Sequence, residues 1–240
     1  MADFDILNRL RQEILPLQGF RHTKLPRESI PGFQSIESAF PGNCFPTGAI
    51  HDFICTDPSG AASTTGFISG LLSALMNKHQ SAVWITSSQQ LYPPALAHFG
   101  IDTERLIVIH AKEKEVLWIM EEALKCEGLA AVVCQVSKIS FTASRRLQLA
   151  VEGTGVTGML MLSSTHKNTS SSLARWCISS LPGIAPHGLP GLGFPRWKVK
   201  LEKVRNGKPS SWQIEWNGQQ FVEITSREVS DFSILAKKAV

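Results

Sequence analysis

Short apolar runs alternate with segments of helical periodicity over residues 36–162. The apolar runs predict strands at 49–55, 82–86, 106–109, 129–134 and 157–162. The segments between them predict helices at 63–78, 92–99, 113–126 and 142–151. Because fully apolar strands separated by helices are typical of parallel sheets covered on both faces, we predict an α/β fold with a mostly parallel twisted sheet flanked by helices. We expect Trp84 and Trp118 to lie in its core.

The pattern changes after residue 163, where helical periodicity is lost. A strand is predicted at 173–179, and a loop rich in proline and glycine follows it. Further strands are predicted at 196–204, 211–216 and 219–224. The pairs Asn206-Gly207 and Asn217-Gly218 between these strands are typical of hairpin turns. We therefore predict that an antiparallel meander extends the parallel sheet.

The two ends of the chain have patterns of their own. Residues 3–15 predict an amphipathic helix that docks either on this domain or on a partner. Residues 225–240 predict a flexible tail, and its apolar side chains are candidates for partner binding: Phe232, Ile234 and Leu235. The predicted organisation is thus a helix and linker at 1–35, a core at 36–224 and a tail at 225–240.

Composition narrows the function classes. The chain has 240 residues, of which 43% are hydrophobic, but no apolar stretch approaches the roughly 20 residues of a membrane span. The acidic start Met-Ala-Asp-Phe-Asp does not resemble a signal peptide, and the five scattered cysteines favour reduced thiols in the cytoplasm. The cysteines and histidines lack metal-ligand spacing, so we expect no metal site. The net charge of +4 permits contact with nucleic acid without requiring it.

The first strand and the stretch after it have the strand–loop–helix layout of a phosphate-binding loop, but they lack the residues that bind phosphate. The loop consists of Thr56, Asp57, Pro58, Ser59, Gly60, Ala61, Ala62, Ser63 and Thr64. Thr56 and Ala61 stand at the two glycine positions, and Ala62 stands at the lysine position. Ser63 retains a hydroxyl for Mg²⁺, and Ser63 or Thr64 is the expected N-cap of the helix. We predict a degenerate nucleotide loop that persists as architecture; binding of ATP and Mg²⁺ stays open as the alternative.

Residues 36–178 resemble the RecA recombinase core. Phe45-Pro46-Thr47-Gly48 is similar to the entry to its first core strand, and residues 91–102 are similar to the segment after its second strand. By this resemblance, Ser88 stands where the recombinase has its catalytic glutamate, and Cys134 or Gln135 stands where it has a magnesium-supporting aspartate. Since none of these three residues is acidic, we predict that the chain is not an enzyme.

Within the RecA-like proteins, the chain resembles the ImuA family. The resemblance rests on residues 139–150, with the run Ser144-Arg145-Arg146-Leu147-Gln148-Leu149-Ala150, on residues 155–158, and on the tryptophan-containing strands near 195–199 and 212–216. It implies a role in error-prone translesion DNA synthesis. The implied partners are an ImuB-type Y-family adaptor and an error-prone polymerase, with RecA or single-stranded DNA as further candidates. The implied location is the cytoplasm, at the nucleoid when active.

Two alternative functions remain at this stage. The chain also resembles SulA, a damage-induced inhibitor of cell division with a reduced RecA-like core. A residual nucleotide-binding ATPase is the second alternative.

Basic side chains are the remaining candidates for DNA or partner contacts. Arg145 and Arg146 either bind phosphate or an acidic partner, or they form a solvated face with local ion pairs. The stripe of Arg196, Lys198 and Lys200 either follows a phosphate backbone or blocks pairing at a sheet edge. A polar segment at the place of a DNA-facing loop in the recombinase is either a further contact or an ordinary loop, and it contains His166 and Lys167.

Overall fold

One mixed sheet of nine strands organises the described part of the chain. The computed structural model describes residues 29–76, 80–88, 91–163, 170–184 and 191–224. The strands are β1 Ile50–Ile54, β2 Ser81–Thr86, β3 Leu106–His110, β4 Leu129–Val136, β5 Thr157–Leu162, β6 Ala174–Leu181, β7 Arg196–Val204, β8 Ser210–Trp216 and β9 Phe221–Glu223. Their order across the sheet is β3-β2-β4-β5-β1-β6-β7-β8-β9.

The strand directions confirm the predicted α/β fold. Strands β1 to β6 are parallel where they pair, and β6 to β9 pair antiparallel. The predicted helix at 3–15 and the predicted tail at 225–240 lie outside the described residues.

Helices cover both faces of the sheet. They are α1 Gln34–Glu37, α2 Pro58–Leu75, α3 Pro93–Leu96, α4 Glu113–Leu124 and α5 Phe141–Thr154. The α2 helix packs on one face, against β4 and β6, whereas α4 and α5 pack on the other, over β2, β4, β5 and β1. No helix in the described ranges is long and apolar enough to cross a membrane.

The larger core lies beneath α2 and extends under the antiparallel strands. Trp197, Val199 and Leu201 alternate into it from β7, as the sequence pattern predicts, while Lys198 and Lys200 face outward. Gly70 lets α2 approach this layer closely, because a Cβ there would lie 2.8 Å from the Phe221 ring.

The two tryptophans predicted for the core differ in burial. Trp84 on β2 is buried, as expected. The prediction for Trp118 on α4 is wrong, since its exposed fraction is 62%. Val116 and Met120 lie four residues apart and form the inner face of α4. Trp118 is rotated about 200° around the helix from Val116 and therefore points to solvent.

Candidate functional site

The helix α2 starts earlier than the sequence pattern predicts. Asp57 has an extended backbone and its Oδ1 accepts a hydrogen bond from the Gly60 N–H at 2.8 Å, which makes it the N-cap. Pro58 follows at the first helical position, where its fixed φ suits a helix start. The prediction of a loop through Ala62 with a cap at Ser63 or Thr64 is therefore wrong. Ser63 and Thr64 lie inside the helix and are buried.

This helix start carries a negative charge of its own. Hydrogen bonds from the Gly60 amide and then the Thr56 hydroxyl lower the pKa of Asp57, so its carboxylate is ionised at neutral pH. A helix N-terminus is an anion-binding position because its first amides point outward. Here the Asp57 carboxylate accepts one of those amides. A phosphate group at the same place would meet a like charge.

A cavity of about 370 Å³ lies beside this start, where α2 and α3 meet the carboxyl ends of β2 and β4. Ala62 and Ser88, which the recombinase resemblance implies at the lysine and glutamate positions, both line it. Gln135 lines it as well, whereas Cys134 is fully buried with its Sγ 3.2 Å from the Met120 sulfur on the opposite face of the sheet. Of the two residues that the recombinase resemblance implies at the aspartate position, Gln135 is the one that lines the cavity. Of the lining residues that the structure describes, none carries a charged side chain.

The two arginines of α5 have different surroundings. Arg146 forms an ion pair with Glu121 of α4 at 2.5 Å, which agrees with the interpretation as a local ion pair. Arg145 makes no ion pair with another described residue. It lies one turn from both Phe141 and Leu149, and each of those apolar side chains is 54% exposed. The exposed residues Trp118 on α4 and Phe141, Arg145 and Leu149 on α5 are here called the α4–α5 surface, since these two helices pack against each other.

The basic stripe of β7 is partly neutralised. Arg196 pairs with Glu215 on β8, and Lys200 pairs with Glu202 at 3.0 Å, while Lys198 is exposed. The alternative that these residues protect a sheet edge is wrong, because β7 lies between β6 and β8. The remaining candidates, His166 and Lys167 in the polar segment and Phe232, Ile234 and Leu235 in the tail, lie outside the described residues.

A buried carboxylate on β1 binds the segment 170–172, which leads into β6, and the sequence pattern does not predict this contact. Asp52 is fully buried, and its Oδ2 accepts hydrogen bonds from the hydroxyls of Ser170 at 2.5 Å and Ser172 at 2.8 Å. A guanidinium nitrogen of Arg175 lies 3.7 Å from the same oxygen. Burial raises the pKa of Asp52, and the two serine hydroxyls and Arg175 counteract that shift.

The same segment also forms hydrogen bonds with α5 and with residues at the end of β7. The Ser171 N–H donates to the Ser144 hydroxyl of α5 at 3.1 Å. Lys203 and Arg205, at the end of β7, donate to the carbonyl oxygens of Ser170 and Ser171 respectively. An aspartate inside an apolar strand and a run of three serines are the sequence signals of this cluster.

The residue before Asp52 points to the other face of β1. His51 Nε2 lies 2.7 Å from the Pro46 carbonyl oxygen, to which it donates, and Nδ1 accepts from the Trp176 indole N–H at 3.3 Å. Its ring stacks on Phe45 with centroids 4.7 Å apart. Burial lowers the pKa of His51 to about 4, and the Pro46 hydrogen bond opposes that shift only in part. His51 is therefore a neutral core residue.

Comparison with known proteins gives two curated relatives, both called Protein ImuA and both from Caulobacter vibrioides, in two strains. Each is 34% identical to this chain over 199 residues, which is 77% of this chain and 81% of the relative. No family model matches the sequence.

Proposed function

The chain belongs to the ImuA family, and we propose that it is a non-catalytic accessory factor of error-prone translesion DNA synthesis and damage-induced mutagenesis. In this role it would act with an ImuB-type adaptor and an error-prone polymerase. The observation that supports the proposal is the uncharged lining of the cavity beside α2, as far as the structure describes it. It includes Ala62, Ser88 and Gln135, which the recombinase resemblance implies at positions of ATP chemistry.

The side chains at this cavity do not suit ATP hydrolysis. Phosphoryl transfer depends on cations and a held metal ion that neutralise the developing charge, and on a group that orients the attacking nucleophile. Removal of one well-placed electrostatic group typically lowers the rate by about 10²–10³. Ala62 has no polar atom, Ser88 and Gln135 are neutral, and the nearby Asp57 adds a negative charge. We infer that the chain acts through its surfaces.

The first test is thermal unfolding with and without ATP and Mg²⁺. A ligand at about 100 times its Kd adds about 2.7 kcal/mol to the free energy of unfolding, which raises Tm by several degrees in a chain of this size. We expect millimolar ATP and Mg²⁺ to leave Tm unchanged. ATP hydrolysis above background that disappears in Ser63→Ala would contradict the proposal, because Ser63 is the residue with a hydroxyl at the magnesium position.

We further propose that the α4–α5 surface contacts the adaptor. Aromatic residues and arginine are enriched in the buried centres of protein interfaces, and they provide much of the binding free energy there. Trp118 is 62% exposed although it is a large aromatic residue, and Arg145 lies between two half-exposed apolar side chains. This mixture favours a protein partner over a phosphate backbone, which needs cations but not exposed leucine and phenylalanine.

The second test measures adaptor binding by calorimetry for Trp118→Ala and Leu149→Ala. Hot-spot truncations cost about 2 kcal/mol or more, so we expect Kd to rise about 30-fold for Trp118→Ala and less for Leu149→Ala. Tm should change little, because both side chains are exposed. The matched control is Leu192→Ala, a 92% exposed leucine far along the chain. Equal affinities for Leu149→Ala, Trp118→Ala and the control would reject this surface.

A further inference from the structure

The cavity beside α2 has an apolar wall. Ala61 and Leu96 face it together with the rings of Trp84 and Phe99, and Leu91 lies at its rim. Its volume of about 370 Å³ is within the lower range of ligand pockets, about 300–1,000 Å³. A space of this size accommodates one large side chain.

Two threonine hydroxyls on the wall already have partners inside the protein. The Thr65 hydroxyl donates to the Ala61 carbonyl oxygen at 2.9 Å. The Thr86 hydroxyl donates to the Ser88 carbonyl oxygen at 3.0 Å and accepts the Ser88 N–H at 3.1 Å. An occupant therefore need not hydrogen-bond to these two hydroxyls, and the aliphatic and aromatic side chains of the wall offer it apolar contacts.

The apolar surface continues outside the cavity. Tyr92, which lines the cavity, is 68% exposed, and Leu91 beside it is partly exposed. Large exposed apolar groups next to a pocket are typical of interaction sites. An occupant that covers Tyr92 as well as filling the cavity must extend beyond one side chain. This extension favours a polypeptide segment over a small molecule.

The negative charge of Asp57, which is next to the cavity wall along the chain, favours basic over acidic polypeptide segments. Asp57 directly precedes Pro58 of the cavity wall, and its carboxylate is exposed and ionised. A basic residue next to the apolar anchor would lie near this carboxylate, whereas an acidic residue would be repelled.

We propose that this cavity binds a large apolar or aromatic side chain of a partner polypeptide, next to a basic residue that faces Asp57. The site lies on the face of the sheet opposite the α4–α5 surface, so the inference is independent of adaptor binding there.

The test uses blocked tetrapeptides and methyl NMR of the full chain. The probes are acetyl-Gly-Arg-Trp-Gly-amide, its Glu-Trp counterpart and its Arg-Ser counterpart, with free indole as a fourth ligand. We expect the Arg-Trp peptide to shift the methyl signals of Ala61, Leu91 and Leu96, and the Arg-Ser peptide to leave them in place. Exchange of arginine for glutamate should weaken binding about threefold or more, and Asp57→Asn should remove that preference.

A variant pair locates the binding. Leu91→Asp should weaken the Arg-Trp peptide at least about tenfold because it places a charge at the apolar rim. The matched Leu192→Asp control, at a 92% exposed leucine, should bind as the wild type does. Three results would overturn the proposal: full binding to Leu91→Asp, equal shifts from the Arg-Ser peptide, or free indole binding as tightly as the peptide. If Leu91→Asp does not fold, the Asp57→Asn comparison and the peptide series still decide.

Discussion

Acidification from pH 6.5 to pH 4 is expected to lower the free energy of unfolding by about 3 kcal/mol through His51 alone. The folded-state pKa of His51 is about 4, because its ring is buried, against an ordinary value of 6.5. Below pH 6.5 the unfolded chain takes up a proton at this residue that the folded chain does not. Stability from His51 is therefore present above pH 6.5 and is lost as the pH falls towards 4.

The hydrogen bonds around the ring explain why protonation is unfavourable. With Nε2 donating to the Pro46 carbonyl oxygen, Nδ1 is the acceptor of the Trp176 N–H. A proton on Nδ1 would place two donors against each other. It would also introduce a charge among aromatic rings, since Phe45 stacks on one side of the imidazole.

The measurement is urea unfolding at a series of pH values for the wild type and His51→Gln. The glutamine variant should lose the part of the pH dependence that His51 causes, whereas His110→Gln, at an exposed histidine, should keep it. The comparison between variants is necessary because burial raises the pKa of Asp52. The stability from Asp52 is present at low pH and is lost as the pH rises, which opposes the effect of His51. If the free energy of unfolding depends on pH in the same way in the wild type and in His51→Gln, the His51 ring is not held neutral.

The sequence predicts much of the fold because each strand carries its own local signal. The predicted bounds at 157–162 and 196–204 agree with β5 and β7, one a continuous apolar run and the other a strict alternation. The predicted start of α2 is wrong because a phosphate-loop frame places the helix after Ala62, whereas Asp57 caps the helix and Pro58 begins it. Residue type alone does not predict the position of Trp118. Its angular position around the helix, opposite Val116 and Met120, determines that it is exposed.

The candidate site is predictable in part. Ala62, Ser88 and Gln135 can be aligned with a nucleotide site from the family resemblance, but their convergence on one apolar cavity follows from the fold. The Asp52 cluster joins residues 118 and 120 positions apart, and such contacts leave no periodic signal in the chain. In the sequence, Asp52 is a single polar residue in an apolar strand, and its partners are identified only in the structure.

Asp52→Ala is expected to lower the free energy of unfolding by about 3–5 kcal/mol, the typical loss when one member of a buried charged network is removed. The substitution takes away the acceptor of the Ser170 and Ser172 hydroxyls and the carboxylate that faces Arg175. The matched control is Asp102→Ala. Its carboxylate is 44% exposed and pairs with Arg105 at the surface, so we expect a much smaller loss than for Asp52→Ala. Both values come from urea unfolding at pH 7.

Asp52→Asn separates the role of the charge from that of the hydrogen bonds. The amide keeps an oxygen that can accept from a serine hydroxyl, and it removes the desolvation penalty that raises the pKa of Asp52. If hydrogen bonding to Asp52 holds the segment 170–172, Asp52→Asn should lower the free energy of unfolding much less than Asp52→Ala. If the carboxylate is needed to balance the nearby cations, the two variants should lose similar amounts. An Asp52→Ala loss no larger than that of Asp102→Ala would show that neither interaction anchors the segment 170–172, which also contacts Ser144 and Arg205.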